Sequence, residues 1–224
     1  VKWALVAGLT LAIAATGVAV TVLARQDRPA PPEIASLGAV GIRTSGCGLA
    51  DELGGGVRVA PGRILTSAHG VAGATAITVI DGDQDYRALV DVFDPEKDLA
   101  VLAAAVDGPQ RPVGSASSGT AVWIATWTPT KGIELAAAEV SRRILVTIED
   151  IYVDGEYQRE AIELSTGLPR GASGSGVFTA DAALVGVVYA TSRERNASFA
   201  LAEPELTAIL QESDSEPDPN GRCP

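Results

Sequence analysis

The 224-residue chain has no methionine and one histidine, and aromatic residues make up only 4% of it. Its two cysteines, Cys47 and Cys223, form no CxxC or Cys/His cluster, which argues against zinc, and no metal or other cofactor is expected. Basic residues are scarce as well: 17 Lys and Arg stand against 28 Asp and Glu, for a net charge of -11. No long basic run offsets that balance, which argues against nucleic acid as a partner. The chain begins with Val, which reads either as a GTG start codon translated literally or as the edge of a fragment. Its richness in Ala, Gly and Val fits a GC-rich bacterial genome.

The run Trp3 to Ala24 is 22 residues without a charge, bounded by Lys2 and by Arg25 and Arg28. As a helix it would be about 33 Å long, enough to cross a hydrocarbon core of about 30 Å. Residues 1–24 are therefore read as an uncleaved transmembrane anchor, with a secretory signal ending at Val22-Leu23-Ala24 as the rival. Both readings put the rest of the chain outside the cytoplasm, where a pair of cysteines is normally bridged. A Cys47–Cys223 bridge would close a loop of about 176 residues, for which chain entropy gives at most about 5 kcal/mol; the alternative is one buried and one exposed thiol. Residues 25–37 open with RQDRPAPPE, a Pro-rich tether, and 213–224 form an acidic tail that Cys223 would tie back.

Between residues 38 and 212 short apolar segments alternate with turn signals such as Pro61-Gly62, Asp81-Gly82 and Asp154-Gly155. Strands are expected at 40–44, 57–59, 63–66, 76–80, 86–93, 99–103, 122–127, 134–142, 144–149, 160–164, 176–179, 184–190 and 198–201. That many short strands so punctuated indicate an all-β sandwich or barrel. The aperiodic stretch Asp107 to Gly119 reads as the crossing between two β-barrels, at about 38–106 and 119–201. One helix is expected, at 202–211, where Pro204 suits the first turn and Leu206, Ile209 and Leu210 share a face.

Three places carry chemistry. In Pro169-Arg170-Gly171-Ala172-Ser173-Gly174-Ser175-Gly176, glycines and serines crowd in front of an apolar strand. Such a turn can expose a hydroxyl and aim backbone N–H groups at one point, as oxyanion stabilisation requires, or it can simply be a flexible connection. His69 follows the apolar strand ending Ile64-Leu65-Thr66, and by default a lone histidine is a surface or core residue. Asp98 stands 29 residues later, directly before Leu99 to Leu102, where an acid commonly caps a turn. The order His, Asp, Ser is nonetheless the one used by chymotrypsin-like barrels.

With LTSAH, KDLAVL and GASGSG in that order on an all-β background, the chain resembles the trypsin-like (chymotrypsin-clan) serine peptidases. Within them it is most similar to the membrane-anchored periplasmic acid-resistance proteases of mycobacteria and related actinobacteria. Cys47-Gly48, the glycines at 54–56, Asp150-Ile151-Tyr152, the strand Leu184 to Tyr189 and the near-terminal Cys223 add to the likeness. The resemblance implies two six-stranded antiparallel barrels, and a triad in which Asp98 orients His69, His69 takes the proton of Ser173, and Ser173 forms an acyl-enzyme. The N–H groups of Gly171 and Ser173 would hold the oxyanion. Thr166, Gly167 and Leu168 would form one wall of the substrate pocket and Ala190, Thr191 and Ser192 the other. With no carboxylate at its base, small or apolar P1 side chains are expected. The implied substrate is a protein or peptide of the cell envelope, with the membrane engaged only through the N-terminal helix. Ala172, Ser175 and Gly176 depart from the family pattern, and Ala172 argues against activation by a newly freed N-terminus. These departures also motivate the alternative of a catalytically degenerate binding module with a protease fold.

Overall fold

A computed structural model describes residues 29–48, 50–212 and 220–224. The expected anchor over 1–24, the start of the linker and most of the acidic tail lie outside the described residues. No helix among the described residues is long and apolar enough to cross a membrane.

Short, largely apolar segments separated by turns produce twelve strands: β1 (Ala39–Ser45), β2 (Glu52–Ala60), β3 (Arg63–Thr66), β4 (Ala76–Asp81), β5 (Gln84–Asp94), β6 (Leu99–Ala104), β7 (Ala121–Thr128), β8 (Gly132–Glu149), β9 (Glu156–Leu164), β10 (Gly176–Phe178), β11 (Leu184–Ser192) and β12 (Ala197–Ala202). They pair antiparallel into two six-stranded sheets. The first runs β1-β2-β3-β6-β5-β4 and closes where β4 pairs with β1. The second runs β10-β11-β12-β9-β8-β7 and closes where β7 pairs with β10. Closure leaves no unpaired edge along either sheet, so the backbone groups of the strands find partners within it.

Each barrel fills its interior with its own inward residues, among them Ile42, Ile64 and Leu102 in the first and Ile124, Ile162 and Leu164 in the second. A third cluster lies between the barrels and joins them through Leu65, Leu99, Phe178 and Leu206, each fully buried. At about 2–3 kcal/mol per large apolar side chain removed from water, that shared layer fixes one barrel against the other. The helix α2 (Glu203–Gln211) lays Leu206 and Ile209 on it, and begins one residue later than the pattern suggests because Ala202 still belongs to β12. A four-residue turn, α1 (Ile34–Leu37), opens the domain and ends on Gly38 at φ 61°, the left-handed position a helix C-terminus favours.

Three strands differ from the sequence expectation, and one of them, β9, starts at Glu156 rather than at residue 160. The segments 134–142 and 144–149 are one continuous strand, β8, with a bulge between Val140 and Arg142. Arg142 and Arg143 do not interrupt it, because they pair with Glu163 at 2.6 Å and Glu160 at 3.1 Å on β9. β2 starts at Glu52 rather than Val57 and carries three consecutive glycines, 54–56, through its middle. Glycine weakens a strand in isolation, yet it is what allows another backbone to approach closely.

Cys47 and Cys223 are bridged. The tail before Cys223 packs onto the segment following His69: the Asn220 amide donates to the carbonyls of Val71 and Ala74 at 2.8 and 2.9 Å, and Gly73 N–H donates to the Asn220 carbonyl.

Candidate active site

β3 ends at Thr66, and the chain then turns through Ser67, Ala68 and His69, with the Ala68 carbonyl accepting the N–H groups of Val71 and Ala72. Asp98 is the last residue before β6. Its backbone adopts φ 58°, a left-handed conformation that Asp tolerates better than most residues with a side chain. β3 and β6 are hydrogen-bonded neighbours, so the two residues emerge side by side from the same end of the first barrel.

Asp98 is 4% exposed, and its carboxylate holds His69 twice. Oδ1 accepts the His69 backbone N–H at 2.9 Å, and His69 Nδ1 lies 2.8 Å from Oδ2 and 2.9 Å from Oδ1. A carboxylate facing Nδ1 assigns the proton to that nitrogen and leaves the lone pair on Nε2. Burial disfavours protonation of the imidazole, but the Asp98 hydrogen bond and charge, assisted by Glu52, outweigh it and the opposing Arg159, so the pKa is raised above its ordinary value.

Ser173 comes from the other barrel, on the turn between β9 and β10. Gly171 and Gly174 take φ values of 86° and 80°, which residues bearing a Cβ resist. The turn is pinned from both barrels. Gly174 N–H donates to Val188 at 2.8 Å and Val188 N–H returns to Ser175 at 2.9 Å, while Gly55 N–H of β2 donates to the Ser173 carbonyl at 2.8 Å. Thr66 Oγ1 supports the same spot by donating to the Gly55 carbonyl. Within the turn, Ala172 and Ser175 use their N–H groups on Pro169 and Ala172 carbonyls. Among the described residues the N–H groups of Gly171 and Ser173 donate to no protein acceptor, and the Ser173 hydroxyl has no hydrogen-bond partner.

The close contact explains Gly55 of β2. A Cβ on Gly55 would fall 2.5 Å from Ser175 Oγ and 3.0 Å from the Ser175 backbone nitrogen. Gly55→Ala is therefore expected to push the serine turn outward and lower peptide-hydrolysis kcat/KM by about 10²-fold, the usual cost of displacing a reacting group by about 1 Å. Kinetics and a thermal melt on the same sample check this, and unchanged kcat/KM would show that the turn yields without consequence.

His69, Gly171 and Ser173 line one cleft of about 130 Å³, together with Glu52, Leu53 and Thr66. Larger hollows lie beside α2 and around the exposed Leu89, but neither brings His69 or Ser173 to its surface. The expected pocket walls are in direct contact: Leu168 N–H lies 3.3 Å from Thr191 Oγ1, and Gly167 N–H donates to Asn196 Oδ1 at 3.2 Å. The buried Ser198 hydroxyl also accepts from Leu168 N–H, at 3.1 Å. Thr166, Ala190 and Ser192 are neither fully buried nor part of the His69 cleft. Sequence reasoning missed Glu52 and Leu53 on the cleft rim and Asn196 and Ser198 behind the wall. Glu52 and Leu53 follow a stretch without periodicity, and no motif covers Asn196 or Ser198.

A family model described as trypsin-like peptidase domain matches residues 54–187. The curated relative serine protease Rv3671c of Mycobacterium tuberculosis is 28% identical over 162 residues, which cover 70% of this chain and 41% of that protein. The chain thus spans less than half the length of the curated relatives it matches. Among solved structures, the active form of the Rv3671c protease is similar with a TM-score of 0.79 and 25% identity, over 87% of this chain and 93% of that one. The inactive form of the same protease gives a TM-score of 0.68 and 26% identity, over 81% of this chain and 96% of that one.

Proposed function

The chain belongs to the trypsin-like peptidase family, and from that premise we propose that it is a serine endopeptidase acting through His69, Asp98 and Ser173. The observation that carries the reading is one cleft lined by both His69 and Ser173, next to Gly171 and Ser173 N–H groups that donate to no protein acceptor among the described residues. A peptide carbonyl in that cleft would be attacked by Ser173 Oγ while His69 takes the proton. The tetrahedral oxyanion would draw on the N–H groups of Gly171 and Ser173, and collapse to the acyl-enzyme returns the proton to the leaving amine. Asp98 fixes the tautomer and steadies the imidazolium.

Small or apolar P1 residues suit a wall built from Gly167 and Leu168, whose hydrogen-bond partners are hydroxyls and an amide rather than a carboxylate. The uncharged run at 3–24 and the bridged cysteines support an extracytoplasmic domain held by an N-terminal anchor, with envelope proteins or peptides as substrates. The test is fluorophosphonate labelling of the chain followed by peptide mapping. A single adduct on Ser173, with hydrolysis of a peptide library, is expected. Stable peptide binding without an adduct or turnover would leave the degenerate binding module, a reading favoured by the unbonded Ser173 hydroxyl.

Because a neutral imidazole is needed as the base and the folded protein raises its pKa, kcat/KM is expected to fall on the acid side with a midpoint above about 6.5, the unperturbed histidine value. A pH profile from 5 to 9 checks it, and a midpoint below that value contradicts the Asp98–His69 coupling.

A further inference from the structure

Arg159 lies on β9 of the second barrel and is 2% exposed. Its Nε donates to the Glu96 carbonyl at 2.8 Å and one Nη to the Glu149 carbonyl at 2.9 Å, and no carboxylate among the described residues lies within ion-pair distance. A buried guanidinium whose only close partners are neutral carbonyls is costly, and stability alone would be served at least as well by an apolar side chain of similar volume. The location of those carbonyls suggests another role. Glu96 stands two residues before Asp98, in the loop between β5 and β6.

The rest of that loop is fastened to the second barrel too. Lys97 Nζ donates to the Gln158 carbonyl of β9 at 2.8 Å and pairs with Glu205 of α2 at 3.2 Å, and Ile151 N–H donates to the Pro95 carbonyl at 3.3 Å. Asp98 thus originates in the first barrel but is presented by a loop held from the second. The Ser173 turn is pinned to β11 of that same second barrel. We propose that Arg159 is a positioning residue for the His69–Asp98 pair, clamping the Asp98 loop to the barrel that carries Ser173 so that carboxylate, imidazole and hydroxyl share one frame. This rests on the peptidase reading of the site.

The electrostatics agree. The charged groups felt by His69 are Asp98 and Glu52, which favour the imidazolium, and Arg159, which opposes it. Arg159 also acts on Tyr189 of β11 and on Asp150. Removing its charge while keeping an apolar stem should therefore move His69 further upward.

The experiment compares wild type, Arg159→Met and Arg159→Lys as full chains. His69 is the sole histidine, so its ring signal reports the imidazole pKa by NMR whether or not the protein is active. Turnover is measured per site titrated with fluorophosphonate, so unfolded protein does not count. For Arg159→Met we expect an upward shift of the His69 midpoint, a kcat 10- to 100-fold lower and KM within twofold. For Arg159→Lys we expect the wild-type midpoint and an intermediate kcat, because one ammonium keeps the charge but cannot bridge both carbonyls as the planar fork does. An Arg159→Met protein with an unmoved midpoint and kcat within twofold overturns the proposal. If that variant does not fold, wild-type kcat in Arg159→Lys overturns it and a lowered kcat at the wild-type midpoint supports it. A wild type that neither labels nor turns over defeats the peptidase reading instead, and the NMR midpoint of the variants still decides whether Arg159 acts on the pair.

Discussion

Ser173→Ala is expected to lower peptide hydrolysis by about 10⁶-fold, the loss typical when the nucleophile of a serine triad is removed, while the thermal midpoint stays within a degree or two of wild type. The kinetic half follows from the cleft: the variant keeps His69, Asp98 and the N–H groups of Gly171 and residue 173, but offers no oxygen to acylate. The structural half follows from the hydroxyl itself, which is only partly buried and bonded to no protein group, so its removal strands no partner. Ser175, two residues on, is the control. It is fully buried and its Oγ is unpartnered among the described residues, so Ser175→Ala should be neutral or slightly stabilising. Ser175 faces Gly55 of β2, and it is the Ser173 carbonyl, not the Ser173 hydroxyl, that bonds to β2. Initial rates, fluorophosphonate labelling and melts of both variants form the test. Persistent labelling in Ser173→Ala, or its loss in Ser175→Ala, would transfer the nucleophile to the wrong serine and break the proposed geometry.

The pattern of strands was legible because short apolar segments are separated by turn signals, and that punctuation is local in sequence. The continuous β8 was not: the expected strands 134–142 and 144–149 leave a gap at Arg143, whose charge is met by Glu160 on the neighbouring strand. The apolar pattern marks β2 only from Val57; Gly54 and Gly55 of the same strand are explained by the approach of the serine turn from the other barrel, and Gly56 by Ile42 and Ile64 of its own. Motif order singles out His69, Asp98 and Ser173, and chain order alone cannot say how they are held together. Arg159 directly precedes the expected strand at 160–164, inside the polar run Gln158-Arg159-Glu160, which reads as solvent-facing. It is buried because the Asp98 loop covers it, a contact spanning 63 residues of sequence and two barrels. The residues that do chemistry are thus marked by short motifs, whereas those that align them are set by packing between distant segments.

Asp98→Asn should cost about 10⁴-fold in kcat at neutral pH, close to what the same exchange costs in other Ser-His-Asp triads. The side chains match in size, and Asn accepts the left-handed φ of 58° as readily as Asp does, so the loop has no reason to move. What changes is the proton. The carboxylate accepts both the backbone N–H and Nδ1–H of His69. An amide has one acceptor oxygen, and with that oxygen committed to the backbone N–H its NH₂ faces Nδ1. The ring then answers with its lone pair at Nδ1 and its proton at Nε2, the tautomer that cannot take a proton from Ser173. The lost negative charge also acts on His69: Asp98 is the main influence raising its pKa, so the midpoint must fall in the variant. The expected signature is accordingly a kcat lowered by orders of magnitude together with a His69 titration displaced to lower pH, while the melt stays close to wild type. A kcat within tenfold of wild type would remove Asp98 from the triad, and an unmoved titration would show that its carboxylate does not face the ring. Asp98→Ala separates orientation from fold: it strands the His69 backbone N–H and forfeits the tolerance for positive φ, so it should lose stability as well as activity.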